Sequence, residues 1–254
     1  MNMKKNVLAS LNLALIMIAS SLISCKKDPV TPTSTLQPTT NGNNNSGTQT
    51  TIAKSGLGLV DIDGNKYKSV IIGKQEWMAE NLRVSKYNDG SIIPKVTSYD
   101  EWPILVTGAY VNYLDEITYD VDYGKLYNGY AVTTNKVCPT GWHVPTVADW
   151  KLLEDKVGGT DIAANKLKES GLNHWSATTA SVTNEALFNV LPGGGRYEYS
   201  YAYLGEEAKF WTSSVDSQSI NNLYYKTFFK TSSYVGTNDY NKLAGHSIRC
   251  VKND

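Results

Sequence analysis

Four tyrosines alternate with other residues in one short segment of the chain: Tyr197, Tyr199, Tyr201 and Tyr203. On a β-strand, a period of two places all four rings on the same face of the sheet. A tyrosine ring offers a flat apolar surface with a polar tip, which suits stacking against sugar rings. The pattern therefore predicts a ligand-binding face at these four residues, with packing against Phe228 and Phe229 as the alternative.

No motif for nucleophilic or metal-assisted catalysis accompanies these tyrosines. The chain contains three histidines: His143, His174 and His246. They form no His-Glu-x-x-His pair, and the sequence has no Gly-x-Ser-x-Gly nucleophile elbow. We therefore predict no catalytic residue and no cofactor.

One acidic segment has the composition of either a cation site or a solvated loop. Its members are Asp115, Glu116, Asp120 and Asp122. A solvated loop is the more common meaning of such a run. Three cysteines and three histidines also argue against a structural zinc site. The sequence therefore predicts no metal site.

The first 24 residues are typical of a bacterial export signal. Two lysines precede an apolar run over residues 7–23 that is short for a transmembrane helix. The run ends in Leu-Ile-Ser-Cys at Cys25, which resembles the lipobox of bacterial lipoproteins. We predict a signal peptide over 1–24, a lipid on Cys25, and a place in the bacterial cell envelope on the periplasmic or cell-surface face of the outer membrane. An ordinary cleavage site beside a chance cysteine is the alternative.

The remaining cysteines, Cys138 and Cys250, would then lie in an oxidising compartment, where disulfides persist. We predict that they pair, with two separate buried thiols as the alternative. If one cysteine carries a lipid and the other two are paired, no thiol remains for catalysis.

A change in composition separates a tether from a folded domain. Residues 25–56 are rich in Thr, Asn and Pro, and the first aromatic residue of the chain is Tyr67. A segment with no aromatic residue and few large apolar side chains does not bury enough surface to offset the entropy of ordering. We predict a disordered tether over 25–56 and one domain over 57–254. The chain's equal numbers of basic and acidic residues, 24 each, argue against a nucleic-acid partner.

The domain must hold these side chains on a mixture of short strands and helices. Thr146 followed by Asp149 predicts a capping box, and the apolar spacing that follows predicts a helix ending at Gly158. A second helix is predicted over 161–169. Short strands are predicted over 59–62, 67–72, 76–78, 210–212, 223–230 and 247–251. Two helices among short antiparallel strands indicate an α+β domain.

Several sequence stretches resemble the Fibrobacter succinogenes major paralogous domain, a family of bacterial surface lipoproteins. In the order of the family, they lie at residues 75–82, 123–128, 138–146, 166–169, 191–194, 211–214 and 247–251. The most specific are Gly-Trp-His-Val-Pro-Thr, ending at Thr146, and Arg-Cys-Val, ending at Val251. The resemblance implies a C-type-lectin-like fold, which formylglycine-generating enzymes share.

One departure from lectins in that superfamily bears on function. Calcium-dependent sugar binding in C-type lectins uses a Glu-Pro-Asn or Gln-Pro-Asp loop and a Trp-Asn-Asp strand. This chain has neither, and its nearest fragment, Asn238-Asp239, follows a threonine. Sugar binding through calcium is therefore not expected.

Three functions remain open on the sequence. The first is a lipid-anchored envelope protein whose domain binds a glycan or a surface protein without catalysis. The second is a polysaccharide hydrolase that uses a pair of carboxylates. The third is a structural subunit of a surface assembly, for which a long exposed sheet edge would be typical.

Overall fold

The computed structural model describes residues 51–254. The predicted signal peptide, Cys25 and most of the predicted tether lie outside the described residues. The last predicted tether residues belong to the fold, because Ala53–Ser55 form a strand. Within the described part, no helix is long and apolar enough to cross a membrane.

The described residues form an α+β domain. Its helices are α1 (Thr118–Tyr123), α2 (Gly129–Thr133), α3 (Val147–Lys156) and α4 (Ala163–Leu167). The first strands are β1 (Ala53–Ser55), β2 (Leu59–Val60), β3 (Lys66–Tyr67), β4 (Ser69–Ile72), β5 (Gln75–Met78), β6 (Tyr110–Val111), β7 (Leu126–Asn128) and β8 (Trp142–His143). The later strands are β9 (Gly193–Arg196), β10 (Tyr201–Leu204), β11 (Glu207–Val215), β12 (Asn222–Phe229), β13 (Val235–Asn241), β14 (Gly245–His246) and β15 (Val251–Lys252).

The prediction of two helices was wrong in number. α3 and α4 occupy the predicted places, although α4 is shorter than predicted. The structure adds α1 and α2, which have six and five residues. Helices of one turn carry too few residues for an apolar periodicity, so the sequence gives no signal for them.

The capping box of α3 forms as predicted. The Thr146 hydroxyl accepts a hydrogen bond from the Asp149 backbone N–H at 3.1 Å. The Asp149 carboxylate accepts one from the Thr146 N–H at 2.8 Å. These reciprocal bonds satisfy donors at the start of the helix that have no partner within it.

The strands form two larger sheets and a small ribbon. One sheet has the order β1-β4-β5-β15-β8, and β2 pairs with β3. The larger sheet has the order β13-β12-β11-β9-β14-β7-β6, with β10 paired to β9. β11 runs antiparallel to β12 and parallel to β9, and β12 runs antiparallel to β13.

The inner face of β11–β13 packs on a fully buried aromatic core. Its largest members are Trp77, Trp150, Trp175, Phe188, Phe210 and Phe228. The rings of Trp77 and Trp150 lie 4.9 Å apart between their centroids, so α3 is held against the first sheet. This core fixes the position of β11 and β12, whose opposite face carries the site described below.

The Cys138–Cys250 disulfide is confirmed. It joins residues 112 apart in sequence, and the Cα atoms lie 6.0 Å apart. In the chain-entropy account, a closed loop of this length stabilises the fold by about 4–5 kcal/mol. The bond fastens the segment before β8 to the end of the domain.

Candidate functional site

The four alternating tyrosines do not share one strand face, so that prediction was wrong. Tyr197 lies just after β9, and its N–H donates to the Ser200 carbonyl at 2.8 Å, which closes a turn between β9 and β10. Tyr199 stands at this turn with 71% of its surface exposed. Only Tyr201 and Tyr203 lie on a strand, and they point to different neighbours.

Tyr201 belongs to a packed cluster. Arg196 donates to its hydroxyl at 2.7 Å and stacks over the Trp102 ring at 4.4 Å. The Tyr201 ring also lies 5.3 Å from that of Tyr113. These contacts assign Tyr201 a structural role.

Tyr203 turns away from this cluster because its backbone is in the left-handed region, with φ +69°. Gly194, on the paired strand, also has a positive φ, of +62°. A Cβ on Gly194 would lie 2.4 Å from the Ala202 carbonyl oxygen, so only glycine fits there. The irregular pairing directs the Tyr203 ring toward Tyr197, with ring centroids 6.1 Å apart.

Tyr197 and Tyr203 form one wall of a pocket on the outer face of the large sheet. The cavity has a volume of about 580 Å³. It is lined by Tyr197, Ser200, Ala202, Tyr203, Glu207, Lys209, Tyr225, Thr227, Phe229, Asn238 and Tyr240. We call it the tyrosine pocket.

Strand register brings the lining residues together. Lys209 lies opposite Thr227, and Tyr225 lies opposite Asn238. Residues directly opposite one another project from the same face of a sheet. Period two along β12 adds Phe229 to that face, beyond Thr227.

The tyrosine rings meet at their edges. Tyr197 lies 5.6 Å from Tyr240 between ring centroids, in an edge-to-face arrangement. His246 lies beneath this layer, 4.8 Å from Tyr225 and 4.4 Å from Trp211. The pocket rings therefore form an aromatic wall above the buried rings of His246 and Trp211.

A salt bridge lies inside the tyrosine pocket. The Lys209 ammonium contacts the Glu207 carboxylate and lies 4.3 Å from the centre of the Tyr203 ring. Burial lowers the pKa of Lys209, and its bond to Glu207 opposes that shift. Lys209 thus occupies the place where an aromatic cage would hold a cationic ligand.

Burial also shifts the pKa values of three pocket tyrosines and of the histidine beneath them. It raises the pKa values of Tyr197, Tyr225 and Tyr240, with neighbouring carboxylates adding to the effect at Tyr225 and Tyr240. Burial lowers the pKa of His246 to about 3. The neutral His246 ring donates from Nδ1 to the Gly245 carbonyl at 3.0 Å.

Hydrogen-bonding groups are placed among the rings. The Thr227 hydroxyl is buried and lines the pocket, and among the described residues it has no hydrogen-bond partner. Asn238 and Ser200 add exposed polar groups. Apolar ring faces with a few fixed polar groups are the usual make-up of a small-molecule site.

Two other cavities lack an available ring face. The larger, of about 770 Å³, lies beside β1–β4 and has Tyr67 as its aromatic residue. Tyr67 is 3% exposed, and its hydroxyl donates to Asp61 at 2.7 Å. The smaller, of about 310 Å³ beside Cys138, has no aromatic lining residue.

The remaining sequence candidates have structural surroundings. His143 lies near the start of α3, 3.4 Å from Asp149. His174 bonds to Glu169 at 2.8 Å. The three histidines contact different partners and form no common site.

The acidic segment is held by salt bridges. Asp115 pairs with Lys95 at 2.5 Å, and Asp120 pairs with Lys125 at 2.8 Å. Within residues 51–254, no three His, Cys, Asp or Glu side chains are grouped so that they could hold a metal ion.

The family model for the Fibrobacter succinogenes major domain matches residues 70–252. The chain belongs to this family. Every residue that lines the tyrosine pocket lies within the matched range, so the pocket is part of the Fibrobacter succinogenes major domain. Comparison with curated proteins and with solved structures gives no match.

Sequence reasoning missed most of the pocket. It named Tyr197 and Tyr203 but not Glu207, Lys209, Tyr225 or Tyr240. The polar and apolar residues that alternate over 207–210, at the start of β11, were an available signal for an outer face, whereas β12 shows no such alternation. Phe228 and Phe229, the alternative packing partners of the tyrosines, lie on opposite faces of β12: Phe228 is in the core and Phe229 lines the pocket.

Proposed function

We propose that this is a lipid-anchored protein of the bacterial cell envelope whose C-type-lectin-like domain binds a glycan without catalysis. The glycan lies in the tyrosine pocket. The observation that carries this proposal is that Tyr197, Tyr203, Tyr225 and Tyr240 form the aromatic wall of one pocket that also contains polar groups. Such a wall stacks on sugar rings, and the polar groups bond to sugar hydroxyls.

The backbone of Tyr203 supports a binding role. A non-glycine residue in the left-handed region costs on the order of 1–3 kcal/mol, and such strain concentrates at functional sites. Tyr203 is 45% exposed, so burial of its ring contributes less stabilising free energy than full burial would. The strained backbone instead presents the ring to the cavity.

Binding without catalysis fits the carboxylates of the pocket better than hydrolysis does. Glycoside hydrolysis uses two carboxylates on either side of the scissile bond. The tyrosine pocket is lined by one carboxylate, Glu207, and this one is in a salt bridge with Lys209.

One edge of the large sheet is poorly suited to pairing with another chain. β13 forms this edge, and its seven residues include an exposed Asp239. A charged side chain on an edge strand opposes pairing with another chain. We therefore do not propose a structural subunit.

The proposal is tested by glycan-array binding of the full-length protein, with release of reducing sugar measured in parallel. Tyr225→Ala should weaken a bound glycan about tenfold or more, because a stacked ring contributes on the order of 1–2 kcal/mol. Tyr199→Ala is the matched control, since Tyr199 is exposed and outside the pocket. Equal loss in both variants, or sugar release that one Asp or Glu substitution stops, would overturn the proposal. Binding of a protein instead of any glycan would also overturn it.

Lipidation has its own test. Cys25→Ala should abolish fatty-acid labelling and release the protein from the membrane fraction, because Cys25 is the predicted lipid acceptor. A Cys25→Ala protein that is still labelled would contradict the proposed lipid anchor. The proposal that the pocket binds a glycan would still stand.

A further inference from the structure

We infer that the tyrosine pocket selects a neutral oligosaccharide of more than one sugar ring and rejects acidic saccharides. This inference rests on the proposed function and names the ligand class of the same site. It follows from three features: the charges around the pocket, the salt bridge of its one lysine, and the length of the pocket along β12.

Negative charge surrounds the tyrosine pocket. Glu207 lines it, and Glu198, next to Tyr197, lies close enough to act electrostatically on Tyr240. Asp239 acts on Tyr225 from the opposite face of β13, where it accepts a hydrogen bond from Asn222 at 2.7 Å. The one cation that lines the pocket, Lys209, is paired with Glu207. The surroundings thus carry more carboxylates than ammonium groups.

Nearby lysines do not reverse this balance. Lys226 lies on the inner face and pairs with Glu154 at 2.6 Å. Lys230, just beyond Phe229, pairs with Glu206 at 2.7 Å. An acidic sugar in the pocket would therefore meet carboxylates without a free cation, and like charges brought together are a means of rejecting a ligand.

The pocket extends along β12. Tyr225, Thr227 and Phe229 all line it, and a strand rises about 3.4 Å per residue. The stretch of the pocket between Tyr225 and Phe229 is thus about 14 Å long. This length exceeds one sugar ring, and aromatic side chains stand at both of its ends.

Neutral hydroxyls match the groups that the pocket offers. Ser200 and Asn238 are exposed and line the pocket, and neither carries a charge. A sugar hydroxyl both donates and accepts, so it can bond to the Ser200 hydroxyl and the Asn238 amide without adding charge. Binding of a neutral ligand is also expected to change little with ionic strength.

The test compares oligosaccharides that differ only in charge. Uronic-acid oligosaccharides are assayed against the full-length protein before and after chemical reduction of their carboxylates, beside a panel of neutral oligosaccharides and monosaccharides. At least one neutral oligosaccharide should bind. Its affinity should be at least tenfold higher than that of the corresponding uronic-acid oligosaccharide, and at least tenfold higher than that of its constituent monosaccharide. Tyr225→Ala should remove this binding. Glu198→Gln should narrow the difference in affinity between the acidic and neutral forms, and Asp239→Asn, on the opposite face of β13, is its matched control.

The outcomes separate this inference from the proposed function. Acidic forms that bind as tightly as neutral ones, in a manner that depends on Tyr225, would overturn the inference and keep glycan binding. A monosaccharide that binds with the same affinity as the oligosaccharide would overturn the inference that the site holds more than one sugar ring. If no saccharide of either kind binds, the proposed function fails and this inference fails with it.

Discussion

The two faces of β11–β13 each contain a lysine–glutamate pair, and the two pairs differ in their surroundings. On the inner face, Lys226 and Glu154 are 3% and 1% exposed. On the outer face, Lys209 and Glu207 are 5% and 17% exposed. The inner pair is closed within the core, whereas the outer pair borders a cavity.

The surroundings show what each pair does. Thr160 donates to Glu154 at 2.7 Å, and Lys226 donates to Thr237 at 2.7 Å, so the inner pair is enclosed by the fold's own groups. Around the outer pair the rings are tyrosines, whose hydroxyls suit contact with a polar ligand. One set of strands thus has an enclosed ion pair on one face and, on the other, an ion pair beside the pocket of the proposed function.

The largest expected effect comes from breaking the inner pair. Glu154→Gln leaves the Lys226 charge buried without an opposite charge, which should lower the free energy of unfolding by about 3–5 kcal/mol. Urea unfolding of the full-length protein measures this loss. Glu207→Gln is the matched variant on the outer face, and it should lower stability by at most about 2 kcal/mol because solvent reaches its pair. Equal losses in both variants would remove the contrast between the faces.

A second effect concerns His246, beneath the tyrosine pocket. Its folded-state pKa of about 3 lies below the ordinary value of 6.5, so the unfolded chain takes up the proton first as pH falls. The contribution of His246 to stability is therefore full above pH 6.5 and is lost as pH falls toward 3. Between pH 7.5 and pH 5, the loss should reach about 2 kcal/mol.

Urea unfolding across this pH range, in wild type and His246→Phe, isolates the contribution of the histidine. The variant should lack that part of the pH dependence, whatever its stability at pH 7.5. Parallel pH profiles in the two proteins would show that His246 is not held neutral under the pocket.

The smallest expected change in stability is at Tyr203. Tyr203→Gly removes the left-handed strain but also the ring packed near Lys209 and Tyr197, so the two effects nearly cancel. We expect a change in unfolding free energy of less than about 1 kcal/mol, with glycan affinity falling about tenfold. A variant that unfolds readily would show that the ring is structural, and unchanged affinity would remove it from the site.

Features fixed by nearby residues were predictable from the sequence. The capping box of α3 depends on Thr146 and Asp149 three residues apart. The disulfide joins distant residues, but Cys138 and Cys250 are the two cysteines that follow the predicted lipid acceptor, which left one pairing to predict. The prediction that four tyrosines share one strand face was wrong because the turn at residues 197–200 and the backbone of Tyr203 depend on pairing with β9. Tyr225 and Tyr240 join the site only through the register of β12 and β13, which no local pattern indicates.

The central claim is that the rings of the tyrosine pocket contact the glycan. It is tested most directly by NMR of full-length protein with ¹³C-labelled tyrosine, titrated with a neutral oligosaccharide that binds. The ring signals of Tyr197, Tyr203, Tyr225 and Tyr240 should shift together at one affinity, while those of Tyr199 and Tyr201 stay in place. Shifts confined to Tyr199, or to tyrosines outside the pocket, would contradict the account.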